Sequence, residues 1–161
     1  MAGLGVSRGV TAALVGLSNG NATPGNVAKA MLRATMFNLR MGSDELDAQG
    51  FPRTEIVLSG GLVKTPALGQ LLADAFHTPV AIRAAAAKGT AWGAALLADW
   101  RHTAVGGSGG SWQEFVEGLA RRAAEPVRFT PRPAAMAVLD RGYERHRRLV
   151  ALHAALAAAC E

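Results

Sequence analysis

Behind a Thr23-Pro24 pair, apolar residues recur at Val27, Met31, Ala34 and Met41. A cap followed by proline at the first helical position and a stripe of this period predict a helix. It runs on through Leu46 and ends at Gly50, with Pro52 as a second stop signal. The next block, Glu55-Ile56-Val57-Leu58, is short, apolar and β-branched and stops at Ser59-Gly60-Gly61. That is the pattern of a buried strand entering a tight turn. A helix with the face Leu68, Leu71, Leu72, Ala75 and Phe76 follows, and Thr78-Pro79 closes it before a second strand, Val80 to Ile82. Strand, helix, strand with so long a connection predicts two parallel strands joined by a crossover.

A Gly/Ala-rich helix is expected from about Lys88 to Trp100, with Gly89, Ala91, Gly93, Ala94 and Ala95 keeping its surface thin. It reads first as a tightly packed core helix, and otherwise as one that lets a backbone or ligand approach. His102 to Gly110 reads as a loop, and Ser111 with Glu114 forms a capping-box pattern opening a helix through Ala123. Pro126, Pro131 and Pro133 punctuate a non-helical crossing. The chain then enters a long helix, about Ala134 to Ala159, with Val138, Leu139, Tyr143, Leu149 and Leu152 as its apolar members. No internal repeat is visible.

Composition narrows the class. A chain of 161 residues fits one domain and buries roughly 70% of the surface it exposes when unfolded. Half of its residues are apolar and 18% are charged, which marks a globular chain. The single cysteine, Cys160, excludes an intrachain disulfide framework and a Cys-rich metal site, and points to a reducing, cytoplasmic setting. The apolar stretches are broken by charge, Gly or Pro well short of the about 20 residues that span a bilayer, so neither secretion nor membrane insertion is expected. The net charge of +5 lies in one region. Residues 121–148 hold eight Arg against Glu125, Asp140 and Glu144, and the rest is balanced, nine against nine. Without an aromatic ladder, Arg145, Arg147 and Arg148 read as a solvated helix face and nucleic acid is not the expected partner.

The stretch that can carry chemistry is Leu58-Ser59-Gly60-Gly61-Leu62-Val63-Lys64-Thr65-Pro66. A strand that ends in two glycines and turns into a helix presents backbone N–H groups without side-chain obstruction, a shape that accepts a phosphate or the flat face of a base. A tight turn needs glycine whether or not a ligand binds, so the local pattern leaves both readings open. It is neither a P-loop nor a Rossmann fingerprint. Ser59 lacks the G-x-S-x-G context of a nucleophile and reads as a turn serine. The histidines His77, His102, His146 and His153 lack metal-binding spacing, so no metal ligands are expected. The aspartates have structural readings: Asp44 and Asp47 on an exposed helix, Asp74 and Asp99 near helix ends, Asp140 among arginines. None is expected to be a catalytic base.

Several blocks, in order, resemble the C-terminal lobe of FGGY carbohydrate kinases. They are Gly16-Leu17 with Thr23 and the helix through Phe37, Ile56-Val57-Leu58-Ser59-Gly60-Gly61, and Leu71-Leu72-Ala73-Asp74 followed by Thr78-Pro79-Val80. Gly89-Thr90-Ala91-Trp92-Gly93-Ala94-Ala95, Phe129-Thr130-Pro131 and Tyr143-Glu144-Arg145 complete the order. The resemblance implies an α/β fold, a partial actin-like, ribonuclease H-like ATPase lobe with few parallel strands and several packed helices. On this reading residues 1–161 are a truncated FGGY C-terminal domain, and 111–161 its helical extension. It implies ATP as cofactor, with Mg²⁺ in the complete kinase. Gly60 and Gly61 then lie beside the nucleotide, Leu62 and Thr65 near the adenosine, and the Gly/Ala helix behind. Two positions depart from the family: its third glycine is Leu62 here, and its acidic residue before the Gly/Ala helix is replaced near Lys88.

In the resembled family the phosphate loop belongs to the N-terminal lobe and the catalytic Asp to a Gly-x-Gly-Asp-like segment, and neither pattern occurs in this sequence. The expected role is therefore the adenosine-binding part of an ATP-dependent kinase for a xylulose-like pentulose or a polyol, inactive alone. Its expected partners are ATP or ADP and either an N-terminal kinase lobe or further copies of itself, through an unpaired strand edge. The alternative is a non-catalytic nucleotide-binding or protein-interaction module that uses the basic terminal helix.

Overall fold

The computed structural model describes residues 13–83, 86–107 and 110–158. The expectations for Cys160, for the end of the last helix at Ala159 and for part of the 102–110 loop lie outside those residues. Two units divide the chain: Met1–Thr54, Asp74–His77 and Pro131–Glu161 form the first, Glu55–Ala73 and Thr78–Thr130 the second.

In the first unit, helix α1 spans Pro24–Ala48. Thr23 is its cap, with Oγ1 accepting from the Asn26 N–H at 3.2 Å, and Pro24 occupies the first helical position. Gly50, at φ +92°, takes the left-handed conformation that ends a helix cheaply only with glycine. The buried face differs from the expected stripe. Met36 and Phe37 are its buried apolar members, while Met31 is exposed. The stripe goes on through Arg40, Asp44 and Asp47, which are partly buried because each finds an opposite charge. Arg40 Nη1 donates to the Ala75 carbonyl at 2.7 Å and to Asp140 Oδ1 at 2.8 Å. Arg53 Nη2 lies 2.7 Å from Asp44 Oδ1 and 2.7 Å from Asp47 Oδ2. Asp44 and Asp47 are thus paired side chains and not a solvated face.

The long terminal helix of this unit, Pro133–Ala158, packs Tyr143 on Phe37 and buries Leu139, while Val138 and Leu152 are exposed. Arg145, Arg147 and Arg148 are exposed as expected. Asp74 is only 1% exposed. Its Oδ1 accepts from the Arg132 N–H at 2.8 Å, and its Oδ2 from Arg132 Nη2 at 2.6 Å and Nε at 3.1 Å. Bidentate pairing of this kind is what makes a buried carboxylate tolerable.

The second unit is built on a three-stranded sheet, β1 (Ile56–Leu58), β2 (Val80–Ile82) and β3 (Val127–Phe129), in the order β1-β2-β3. β1 and β2 are parallel, as the crossover pattern predicts, with Val57 opposite Ala81. β3 is antiparallel to β2 and lies within the proline-punctuated stretch, where no strand is expected. Its three residues are too few to show a period, and Arg128 in the middle, ion-paired with Glu55, hides the apolar signal. Residues 111–161 therefore supply a strand as well as helices. Helix α2 (Ala67–Phe76) connects β1 to β2, and Leu58, Leu72, Ala73, Val80, Ala81 and Ala86 are the buried apolar residues of this unit.

Helix α3 spans Gly89–Val105 and has no buried residue, so it is not the core helix that its Gly/Ala content suggests. It also absorbs His102–Val105, expected as loop. Helix α4 spans Trp112–Arg122 and opens with a complete capping box. Ser111 Oγ accepts from the Glu114 N–H at 3.2 Å, and Glu114 Oε2 accepts from the Ser111 N–H at 2.7 Å. The terminal helix Pro133–Ala158 is α5.

Candidate functional site

Two parallel strands deliver two turns to the same end of the sheet. β1 leaves Leu58 into extended Ser59 and then a 3₁₀ turn, Gly60–Lys64; β2 leaves Ile82 toward a second 3₁₀ turn, Ala86–Lys88. The two turns lie against each other. Ligands of open α/β sheets collect at the carboxyl ends of parallel strands for this reason.

Gly60 sits at φ +77°, a conformation that costs a side chain about 1–2 kcal/mol. Gly89 is fixed by a close approach, since a Cβ there would stand 3.2 Å from Ser59 Oγ. Gly61 differs from both. It has no positive φ, and a Cβ there would meet nothing within 4 Å. Neither backbone strain nor packing among the described residues calls for glycine at that position.

Between the turns lies an open cleft of about 300 Å³, lined by Ser59, Gly60, Ala87, Lys88, Gly89, Thr90 and Ala91. Of the four residues expected at the ligand, Gly60 lines this cleft. Gly61, Leu62 and Thr65 are exposed on the same 3₁₀ turn or at its end, outside the cleft lining. Thr65 closes the turn, donating its N–H to the Leu62 carbonyl at 3.2 Å. Leu62 is half exposed and offers an apolar face to solvent. The opposite wall, Ala87 to Ala91, comes from α3 and the turn before it. Its residues are distant from Gly60 in sequence, and only the parallel pairing of β1 and β2 brings them there. Lys88 is the sole charged residue of this lining.

The arrangement can hold a ligand by backbone N–H groups and one cation, while Leu62 stands exposed on the same turn outside the lining. The lining carries no carboxylate, and the described residues contain no group of three or more His, Cys, Asp or Glu that could hold a metal ion. Lys88 is the group of this lining with a charge complementary to a phosphate.

Comparison with known proteins decides the family. Residues 4–101 match the FGGY family of carbohydrate kinases, C-terminal domain, which is more than half of the chain. The chain belongs to the FGGY family of carbohydrate kinases. It is 34% identical over 159 residues to a glycerol kinase of Gloeobacter violaceus, covering 93% of this chain and 30% of that relative. A glycerol kinase of Paenarthrobacter aurescens is 37% identical over 120 residues, covering 74% of this chain and 22% of the relative. The crystal structure of xylulose kinase from Rhodospirillum rubrum superposes with a TM-score of 0.64 at 24% identity, over 89% of this chain and 27% of that one. That likeness gives the fold, an actin-like ATPase lobe, as the FGGY resemblance implies. The FGGY chain spans less than a third of the length of each of these proteins. Among the described residues no helix is long and apolar enough to cross a membrane.

Proposed function

We propose that this FGGY domain supplies the adenosine side of an ATP-dependent carbohydrate kinase, with the Gly60-Gly61 turn against the nucleotide and Leu62 and Thr65 near the adenosine. Kinases of the family take ATP, generally with Mg²⁺. The observation that carries the reading is Gly61: an exposed glycine that the fold does not require, next to an open cleft, leaves room for something outside the chain to approach the backbone.

In the complete kinase the acceptor is a polyol or a pentulose, in keeping with glycerol kinase relatives and a xylulose kinase structural neighbour. Phosphoryl transfer needs a positioned carboxylate, Mg²⁺ and donors around the phosphates. On this reading those groups come from the rest of the kinase. Four of the five aspartates are engaged elsewhere, Asp44 and Asp47 with Arg53, Asp74 with Arg132, and Asp140 with Arg40 and His77, and the fifth, Asp99, is exposed on α3 outside the cleft lining.

The test is isothermal titration of ATP and ADP, with and without Mg²⁺, into the 161-residue chain and its Gly61→Asp variant. The space around Gly61 lets the variant fold, which circular dichroism checks. Binding to the wild type that is lost in Gly61→Asp supports the reading. Equal binding by both proteins, or none by folded wild type, overturns it.

A further inference from the structure

Lys88 stands where a lysine is electrostatically out of place. It is the N-cap residue of α3, its side chain makes no capping hydrogen bond, and the first turn of that helix holds no acidic residue. A helix presents about half a positive charge at this end, which favours anions and disfavours a cation. Among the described residues Lys88 has no ion-pair or hydrogen-bond partner that would offset the repulsion. It lines the cleft together with Gly60, as the only charged residue there. A cation at a positive helix end, on the wall of an open cleft opposite an unobstructed glycine turn, is an arrangement that a bound anion would relieve.

We propose that Lys88 reads the phosphate charge of a nucleotide held at the Gly60 turn, so that this domain distinguishes adenine nucleotides from the uncharged nucleoside. The inference rests on the nucleotide reading of the turn and adds a specificity-determining residue on the opposite wall. Backbone N–H groups at the turn and the N-terminus of α3 already favour an anion, and Lys88 adds a full charge to that preference. Because the lysine is exposed, its effect is screened by salt and is of the size of a surface charge pair.

The experiment titrates adenosine, AMP and ADP, without Mg²⁺, into wild type, Lys88→Ala and Lys88→Glu at low and at high salt, with thermal melts as the folding control. The expected wild-type preference for ADP over adenosine is about three- to fivefold at low salt, shrinking at high salt. It shrinks in Lys88→Ala and shrinks further in Lys88→Glu, with adenosine affinity the same in all three. A preference for ADP unchanged in both variants overturns the role of Lys88 while leaving the nucleotide reading standing. Absence of binding by any of the three ligands to folded wild type overturns both.

Discussion

Removing one oxygen from Tyr143 tests how the first unit is held together. Tyr143 is 4% exposed, its ring centroid lies 5.6 Å from that of Phe37, and the Arg40 guanidinium stands 4.2 Å above it. Its hydroxyl donates to Asp44 Oδ2 at 2.6 Å. Burial, and next the hydrogen bond to Asp44, push the phenol up to about 12. Tyr143→Phe keeps the ring and deletes only that bond. A hydrogen bond to a charged acceptor contributes about 1.5–3 kcal/mol. The lower part of that range applies here, because Asp44 retains Arg53 at 2.7 Å and its side chain is 36% exposed, so water reaches the vacated oxygen. The expected loss is about 1.5–2 kcal/mol, or a Tm lower by about 3–8 °C for a chain of this size.

The pH dependence has a definite sign. The fold favours the neutral phenol, with an unfolded value of about 10. Its contribution is complete below pH about 10 and is lost as pH rises through about 12. Urea unfolding followed by far-ultraviolet circular dichroism therefore shows a gap between wild type and Tyr143→Phe that is constant from neutral pH to about 9 and closes above about 11. Tyr143→Ala, which also removes the packed ring, costs about 3–5 kcal/mol at every pH. Equal stability of wild type and Tyr143→Phe at neutral pH, or a gap that persists unchanged above pH about 11, would refute the reasoning.

Three further outcomes follow from the geometry. Ser111→Ala breaks the capping box and lowers stability by about 1 kcal/mol, visible as helix loss in circular dichroism. The Ser111 N–H, the larger cause that holds the Glu114 carboxyl below its ordinary value, survives in Ser111→Ala; the variant loses the Ser111 hydroxyl bond to Glu114 Oε2 at 3.0 Å, and that share of the wild-type advantage is present above the usual carboxylate range and fades as pH falls through the lowered one. Gly93→Ala, in an exposed helix interior where a Cβ meets nothing within 4 Å, raises the stability of the chain by about 1 kcal/mol in thermal melts. Among the described residues β1 is paired on one side only and exposes Val57, so sedimentation velocity should show concentration-dependent self-association that Val57→Lys weakens; a monodisperse wild-type monomer contradicts this.

The elements with local signatures were legible in the sequence. Thr23-Pro24 starts α1, Ser111 and Glu114 start α4, and the two β-branched triplets around a helical crossover became the parallel pair β1 and β2. What escaped was pairing across the chain. Arg40, Asp44 and Asp47 continue the inward stripe of α1 because their partners, Asp140 and Arg53, lie on other elements, and hydropathy counts such residues as solvent-facing. Asp74 became a nearly inaccessible carboxylate for the same reason, held by Arg132 58 positions away. The site was half legible. The glycine turn is a local pattern, whereas the wall from Ala87 to Ala91 becomes part of the site only through strand pairing.

Glycines separate by the reasons the chain has for them. At Gly60 the reason is backbone conformation, and at Gly89 it is the Ser59 side chain at 3.2 Å. Because each has such an internal reason, a substitution at either one does not by itself separate a binding role from a structural one. Gly61 and Gly93 have neither reason, and Gly93 lowers the stability of its own helix by about 1 kcal/mol relative to alanine. A helix with no buried residue that still carries an exposed interior glycine is poorly explained by contacts among the described residues. On the proposed reading, a small residue that internal packing does not require leaves room for a ligand or for the rest of a kinase. On that reading Gly61→Asp and Gly93→Ala separate the two: the first is expected to remove nucleotide binding by the chain itself, whereas the second is expected to stabilise the chain and leave that binding intact.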